Sequence, residues 1–151
     1  MFGGILRQLI HMMMFNNIVT IFNFDITNNK FLKTVLTDVE YQFSFSVDRL
    51  PTYNEANDRC LLFINTDIYD SETITPDGKK FVHPKEWDSL SSKTGYFTLK
   101  TDKDFFALGD FSGVTVTNFE SFKNLHPNST FLIDEWREFQ DVIPHLEVYG
   151  N

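Results

Sequence analysis

The residue types that most often catalyse reactions or bind metals are scattered along this chain of 151 residues. Its four histidines, His11, His83, His126 and His145, do not stand at metal-ligand spacing from one another. The chain has no Gly-rich phosphate loop, no nucleophile elbow and no His-Glu-x-x-His motif. We therefore predict no catalytic residues, no cofactor and no enzymatic activity.

Acidic residues form two local groups, each near a predicted turn. They are Asp102, Asp104 and Asp110 in one group, and Asp67, Asp70 and Glu72 in the other. Carboxylates two residues apart suggest a calcium loop, but the glycine and glutamate that such a loop requires are missing at the correct offsets. We interpret these carboxylates as groups that solvate turns, and we predict no bound metal.

Composition and charge restrict the class of protein. The chain is 42% hydrophobic and 16% aromatic, which favours a folded domain over a disordered one. Its formal net charge of −8 disfavours binding to a phosphate backbone, because that affinity comes mainly from Lys and Arg. The single cysteine, Cys60, lies in an apolar run and is interpreted as a buried hydrophobic residue in a reducing compartment.

The pattern of apolar residues predicts a mainly β fold. Predicted strands cover residues 18–24, 31–36, 39–47, 59–65, 96–100, 105–108, 114–116, 130–133 and 143–149, and Phe81-Val82 is expected to re-enter the sheet. Short helices are predicted at residues 83–87 and, capped by Asn118, at residues 119–125. We expect one β-rich domain over residues 15–151, a small barrel or sandwich with two or three short helices and long loops.

Residues 1–14 precede this domain and have an apolar face at helical spacing. We interpret them either as an N-terminal arm that docks on a neighbouring subunit or as a mis-annotated leader, with translation beginning at Met12, Met13 or Met14. In the first case Ile5, Leu6, Leu9 and Ile10 would contact the partner. The segment has neither the basic start nor the cleavage site of a signal peptide, and it is too short to span a membrane.

Aromatic and apolar residues in the loops and near the helices are further candidates for partner contact. These candidates are Tyr53, Tyr69, Ile74, Trp87 and Trp136. The two tryptophans are equally consistent with core positions and with interface anchors. Charged residues surround Trp136 in the run 134–139, which suits a surface segment.

Several stretches resemble small minor-capsid proteins of tailed bacteriophages. The stretches are Val19-Thr-Ile-Phe-Asn23, Lys33-Thr-Val-Leu36, Val39-Glu-Tyr41, Phe97-Thr-Leu99, Leu108-Gly109-Asp110 and Pro144-His145-Leu-Glu-Val-Tyr-Gly150. The last stretch is similar to the closing His-aromatic-Glu-Val-Gly-Gly strand of that family, but Leu146 replaces the aromatic residue and Tyr149 replaces a glycine. The resemblance begins at Phe15 and runs to the C-terminus.

The resemblance implies a head-completion protein, also described as a head–tail connector or stopper-like subunit. Such β-barrel subunits form a homo-oligomeric ring below the portal, close the neck after packaging and present a docking surface to the tail. The implied partners are the portal or adaptor ring and the tail proteins, and DNA is only a cargo that passes through. The implied location is the virion, assembled in the host cytoplasm, with no role for a membrane and no catalytic residues to transfer.

Two other functions fit the same residues. A tail-completion or tail-terminator ring is a close neighbour of the head-completion role. A monomeric cellular β-barrel that binds a peptide or a small ligand is a different class of protein. Under the virion hypothesis, the net negative charge would prevent the channel from holding its DNA.

Overall fold

Strands dominate the computed structural model, which describes residues 17–44, 59–65, 78–140 and 144–151. The strands are β1 (Asn17–Asp25), β2 (Lys30–Ser44), β3 (Arg59–Asn65), β4 (Lys80–Phe81), β5 (Tyr96–Phe97), β6 (Phe105–Leu108), β7 (Thr130–Phe139) and β8 (His145–Gly150). The described helices are α1 (Pro84–Ser89) and α2 (Phe119–Leu125). The mainly β prediction is confirmed, and the described ranges contain two short helices.

Six of the strands close into a barrel in the order β1-β2-β3-β8-β7-β6, and β6 pairs back onto β1. Every pair in this barrel is antiparallel. The ends of β1, β3 and β7 therefore lie beside the starts of β2, β8 and β6, at one end of the barrel that we call the cap end. Of the two architectures expected from the sequence, the barrel is the one that forms.

The interior of the barrel is filled by apolar side chains from every strand. Its buried members include Val19, Ile21, Leu36, Val39, Cys60, Leu62, Ile64, Phe106, Phe131, Ile133, Leu146 and Val148. Alternate residues of β3 and β8 point inward, as a strand with one buried face requires. The barrel interior is therefore an apolar core.

A second apolar cluster covers the outside of β1 and β6. Phe22 stacks on Phe105 with ring centroids 4.4 Å apart, and Phe122 of α2 lies 5.1 Å from Phe22. Because α2 packs against this wall, β1 and β6 are buried on both faces and show no alternation of apolar and polar residues. Asn118 caps α2 through its side chain, which accepts a hydrogen bond of 2.8 Å from Ser121 N, as predicted.

The strands predicted at residues 31–36 and 39–47 are one continuous strand, β2, as far as Ser44. The register with β1 shifts between the pairs Asn17↔Val39 and Val19↔Leu36, which places one extra residue in β2. This β-bulge changes the phase of the side chains, so Leu36 and Val39 both face the core although three positions separate them. The break seen in the sequence is therefore a bulge and not a turn.

Three other sequence-based predictions are wrong in detail. Phe81-Val82 do not re-enter the barrel, because β4 pairs in parallel with β5 in a separate two-stranded sheet. Residues 114–116 form no strand, and β7 continues to Phe139 instead of ending at Ile133. Asparagine tolerates a positive φ, so the pair Asn28-Asn29 predicts a tight turn between the strands at residues 18–24 and 31–36; this prediction is confirmed, with Asn29 at a φ of 51°.

Gly150 lies where the barrel interior has no room for a side chain. A Cβ atom at this position would be 2.5 Å from the Phe106 ring and 2.6 Å from Phe131 Cβ. We expect Gly150→Ala to lower the free energy of unfolding by about 1–3 kcal/mol, measured by chemical denaturation. Gly113→Ala is the matched control, since a Cβ there meets no atom within 4 Å. Equal stability of the two variants would show that the interior is loosely packed.

Two fully buried threonines offer a test of the polar groups beneath α2. Thr20 Oγ1 donates to Gly109 O at 2.8 Å and accepts from Phe111 N at 2.9 Å, whereas Thr130 Oγ1 has no hydrogen-bond partner within the described ranges. We expect Thr20→Val to destabilise the fold by about 1–3 kcal/mol and Thr130→Val to stabilise it by about 1–2 kcal/mol. Thermal and chemical unfolding of both variants would check these signs, and a loss of stability in Thr130→Val would contradict the assignment.

Candidate partner-contact surface

Residues 78–100, which we call the cap, cover the cap end of the barrel. The cap contains β4, α1 and β5. Two of its side chains, Phe97 and Leu99, are fully buried and join the core cluster of the barrel interior. The cap therefore closes this end of the barrel with apolar side chains.

Asn23, near the end of β1, joins the cap to the barrel wall. Its Nδ2 donates to Thr98 O at 2.6 Å, and its Oδ1 accepts from Thr98 N at 3.2 Å. A single carboxamide thus bonds both backbone groups of one residue, as a neighbouring strand would. Thr98 Oγ1 in turn donates to Val82 O at 2.7 Å, which extends the connection into the cap.

Asp104 completes this polar junction at the start of β6. Its Oδ1 accepts from Phe24 N at 2.9 Å, and its Oδ2 accepts from Asn23 Nδ2 at 2.8 Å and from Lys100 N at 2.9 Å. The residue is 1% exposed. Because all three partners are N–H donors, the position requires a side chain that only accepts hydrogen bonds.

Burial raises the pKa of Asp104 from 3.8 to about 6, while the N–H donors of Phe24, Lys100 and Asn23 act in the opposite direction. The folded chain therefore holds this proton at a higher pH than the unfolded chain does. The contribution of Asp104 to stability is full below its unfolded pKa of 3.8 and is lost as the pH rises through about 6. The junction is thus a site where folding and proton binding are linked.

An aromatic cluster lies across the junction of the cap with β7. The ring of Trp136 meets Phe81 at a centroid distance of 5.4 Å and His83 at 5.1 Å, both edge to face. His83 Nε2 lies 3.3 Å from Glu138 Oε2, and the side chains of His83 and Glu138 are 58% and 34% exposed. The cluster therefore presents an aromatic and acidic surface at the rim of the barrel.

The structure separates the two tryptophans that the sequence could not distinguish. Trp87 is 1% exposed in α1 and belongs to the interior, so the expectation that it contacts a partner is corrected by its burial. Trp136 is half-buried at the rim, where it packs against Phe81 and remains a candidate. The other predicted contact residues, Ile5, Leu6, Leu9, Ile10, Tyr53, Tyr69 and Ile74, lie outside the described residues.

Other reactive side chains serve packing in the described part of the chain. Burial raises the pKa of the Cys60 thiol to about 12, which keeps it protonated and unreactive. His126 packs against Phe111 and Phe122, and His145 stacks on Phe139 at 4.9 Å. Within the described ranges, no three His, Cys, Asp or Glu side chains are grouped to hold a metal ion.

Sequence reasoning missed Asn23 as a structural residue and interpreted Asp104 as a solvated turn residue. A signal for Asn23 was present, since an amide in the middle of an apolar strand must find buried partners. Its partners are 75 and 81 positions away along the chain, at Thr98 and Asp104. Only the closed barrel brings them together.

We expect Asp104→Asn to lower the free energy of unfolding at pH 7 by about 1–3 kcal/mol, because the amide NH2 would face an N–H donor. Asp102→Asn is the control: Asp102 is exposed at a φ of 68°, which asparagine tolerates. Chemical denaturation measures both variants. Wild-type stability in Asp104→Asn would contradict the acceptor-only role.

The same pair of proteins tests the linkage to pH. Between pH 7 and pH 5 the wild type should gain about 1 kcal/mol over Asp104→Asn, since only the carboxyl group can take up the proton. Denaturation curves at several pH values give the difference directly. A constant difference would show that Asp104 does not titrate in this range.

Comparison with models of protein families, with curated proteins and with solved structures finds no match to this chain. Within the described ranges, no helix is long and apolar enough to cross a membrane. The function is therefore inferred from the barrel, the cap and the surface that they present.

Proposed function

We propose that this chain is a non-enzymatic structural subunit of a tailed-phage virion. In this proposal it is a head-completion, stopper-like protein that forms a ring in the neck, between the portal region and the tail. It acts through the surfaces that it presents to neighbouring proteins, and DNA passes it as cargo. The resemblance of the sequence to small minor-capsid proteins motivates the proposal.

The observation that carries the proposal is the apolar core of the barrel and its close packing at Gly150. At that position Phe106 and Phe131 leave no space for an added methyl group. The cap closes one end with Phe97 and Leu99. A barrel that binds a small ligand in its interior needs a cavity, whereas a structural subunit needs a stiff support for its contact surfaces.

The distribution of charge also supports a structural subunit beside DNA. The described ranges contain 13 of the 21 acidic residues and 11 of the 13 basic residues. The barrel and cap are therefore nearly neutral, and most of the acidic excess belongs to the remaining segments. Those segments include residues 48–58 and 66–77, the greater part of the long loops predicted over residues 48–58 and 64–81, which are the expected extensions toward neighbouring subunits.

Deleting the gene from a phage that carries it is the direct test. We expect lysates with DNA-filled heads that lack tails, together with free tails, because the neck would not be completed. Negative-stain electron microscopy and the infectious titre measure this result. Adding the purified wild-type protein to the lysate should restore tailed particles, which controls for effects on neighbouring genes.

The same experiment distinguishes the alternative functions. Tails of uncontrolled length on complete heads would move the subunit to the tail end, as a tail-terminator. Normal particles, with the protein absent from purified virions by mass spectrometry, would contradict a virion role. That result would favour a monomeric binding module in the host cell.

A further inference from the structure

Four lysines lie around the tip of the β1–β2 hairpin, although they come from three separate segments. They are Lys30, Lys79, Lys93 and Lys103, which we call the lysine collar. Lys79 Nζ donates to Lys33 O at 2.6 Å, Lys103 Nζ lies 5.7 Å from the Phe24 ring, and Lys93 acts electrostatically on Asp25. Asp25 and Asp102 are the acidic residues among these groups, so the collar is basic in an acidic protein.

An exposed apolar residue stands inside this collar. Ile26, in the turn of the hairpin, is 74% exposed. The backbone that carries it is fixed, because Asp25 accepts hydrogen bonds from Thr27 N at 3.1 Å and from Asn28 Nδ2 at 2.7 Å. A fixed apolar side chain with a charged rim is the pattern of a protein–protein contact.

The wall formed by β7 presents the opposite charge. Asp134, Glu135 and Glu138 are 41%, 48% and 34% exposed. Arg59 and Arg137 pair with the first two, at 3.1 and 2.9 Å, but Glu138 has only the imidazole of His83 beside it among these ion pairs. Trp136 and Glu138 share one face of β7 at the rim, whereas Glu135 lies on the other face, so the rim of this acidic edge combines an apolar and an acidic side chain.

The barrel places these two surfaces on opposite walls at the same end. In the closed order β1-β2-β3-β8-β7-β6, β2 lies three strands away from β7 in either direction. The hairpin tip and the last residues of β7 both lie at the cap end, because β1 and β7 run the same way through antiparallel neighbours. Two complementary surfaces on opposite walls at the same end allow copies to join side by side around a ring.

We infer that the lysine collar of one copy docks on the β7 acidic edge of the next copy. Ile26 would reach the apolar part of that edge near Trp136, and the lysines would face Glu135 and Glu138. This contact is head-to-tail and repeats around an axis parallel to the barrels. It deepens the proposed function, since it names the surfaces by which the neck subunit would form its ring.

The test measures self-association of the purified full chain by sedimentation equilibrium at about 0.02 M and about 0.5 M salt. We expect association that depends on protein concentration and weakens at high salt. Lys30→Glu combined with Lys103→Glu should raise the dissociation constant at least about tenfold, and so should Glu135→Lys combined with Glu138→Lys. Mixing the two charge-reversed proteins should restore association between them.

Matched controls separate the specific contact from net charge. Lys85→Glu and Glu120→Lys reverse charges of the same two signs, one per chain, at exposed helix positions outside the two surfaces, and they should leave association unchanged. A wild-type chain that stays monomeric to roughly 1 mM at low salt would overturn the inference. An equal loss of self-association in the control variants would also overturn it. The same conclusion would follow if the Lys30→Glu and Lys103→Glu protein lost binding to duplex DNA while its self-association was unchanged.

The outcomes for the contact and for the proposed function are distinguishable. If the protein self-associates through these surfaces but is absent from virions, the contact is supported and the virion role is rejected. A virion protein whose charge-reversed variants still assemble into tailed particles would retain the role and reject the contact.

Discussion

The hydrogen bonds of Asn23 and Asp104 are the constraint on which the cap end depends. The carboxamide of Asn23 and the carboxylate of Asp104 bond the backbone of Thr98 and Lys100, which a neighbouring strand would otherwise have to do. Buried backbone groups need such partners, because an unpaired one costs about 1–3 kcal/mol. These two side chains therefore allow the chain to pass from the cap into β6 without exposing polar backbone to the core.

Burial of β1 and β6 on both faces explains much of the aromatic content of the chain. Phe106 fills the barrel, while Phe105 on the next position packs under α2 with Phe22 and Phe122. β6 thus contributes side chains to both apolar clusters, so the residues on both of its faces are apolar. This wall, which has no solvent-facing side, accounts for several of the 17 phenylalanines of the chain.

Local signals predicted the elements whose stability is local. The cap of α2 at Asn118, the turn at Asn29 and the strand at residues 59–65 each depend on neighbouring residues, and the structure confirms all three. The predictions for Phe81-Val82 and for the end of β7 at Ile133 were wrong because the pairing with β5 and β8 is decided by tertiary contacts and not by the local pattern. The two tryptophans and Asp104 likewise needed the tertiary contacts, since identical residue types serve core and surface.

A stiff barrel and a segregated surface charge are physically connected. The closed strand order sets the distance and the angle between the β1–β2 hairpin and the β7 wall, and the core is packed so closely at Gly150 that an added methyl group has no space. If the charged residues lay on a mobile segment, each contact would cost the conformational entropy of ordering that segment. On a rigid barrel this entropy is lost during folding, before any contact forms. If copies join through these walls, the tilt between them is set by the strand geometry of the barrel. A change in the core would then alter the ring without touching either surface.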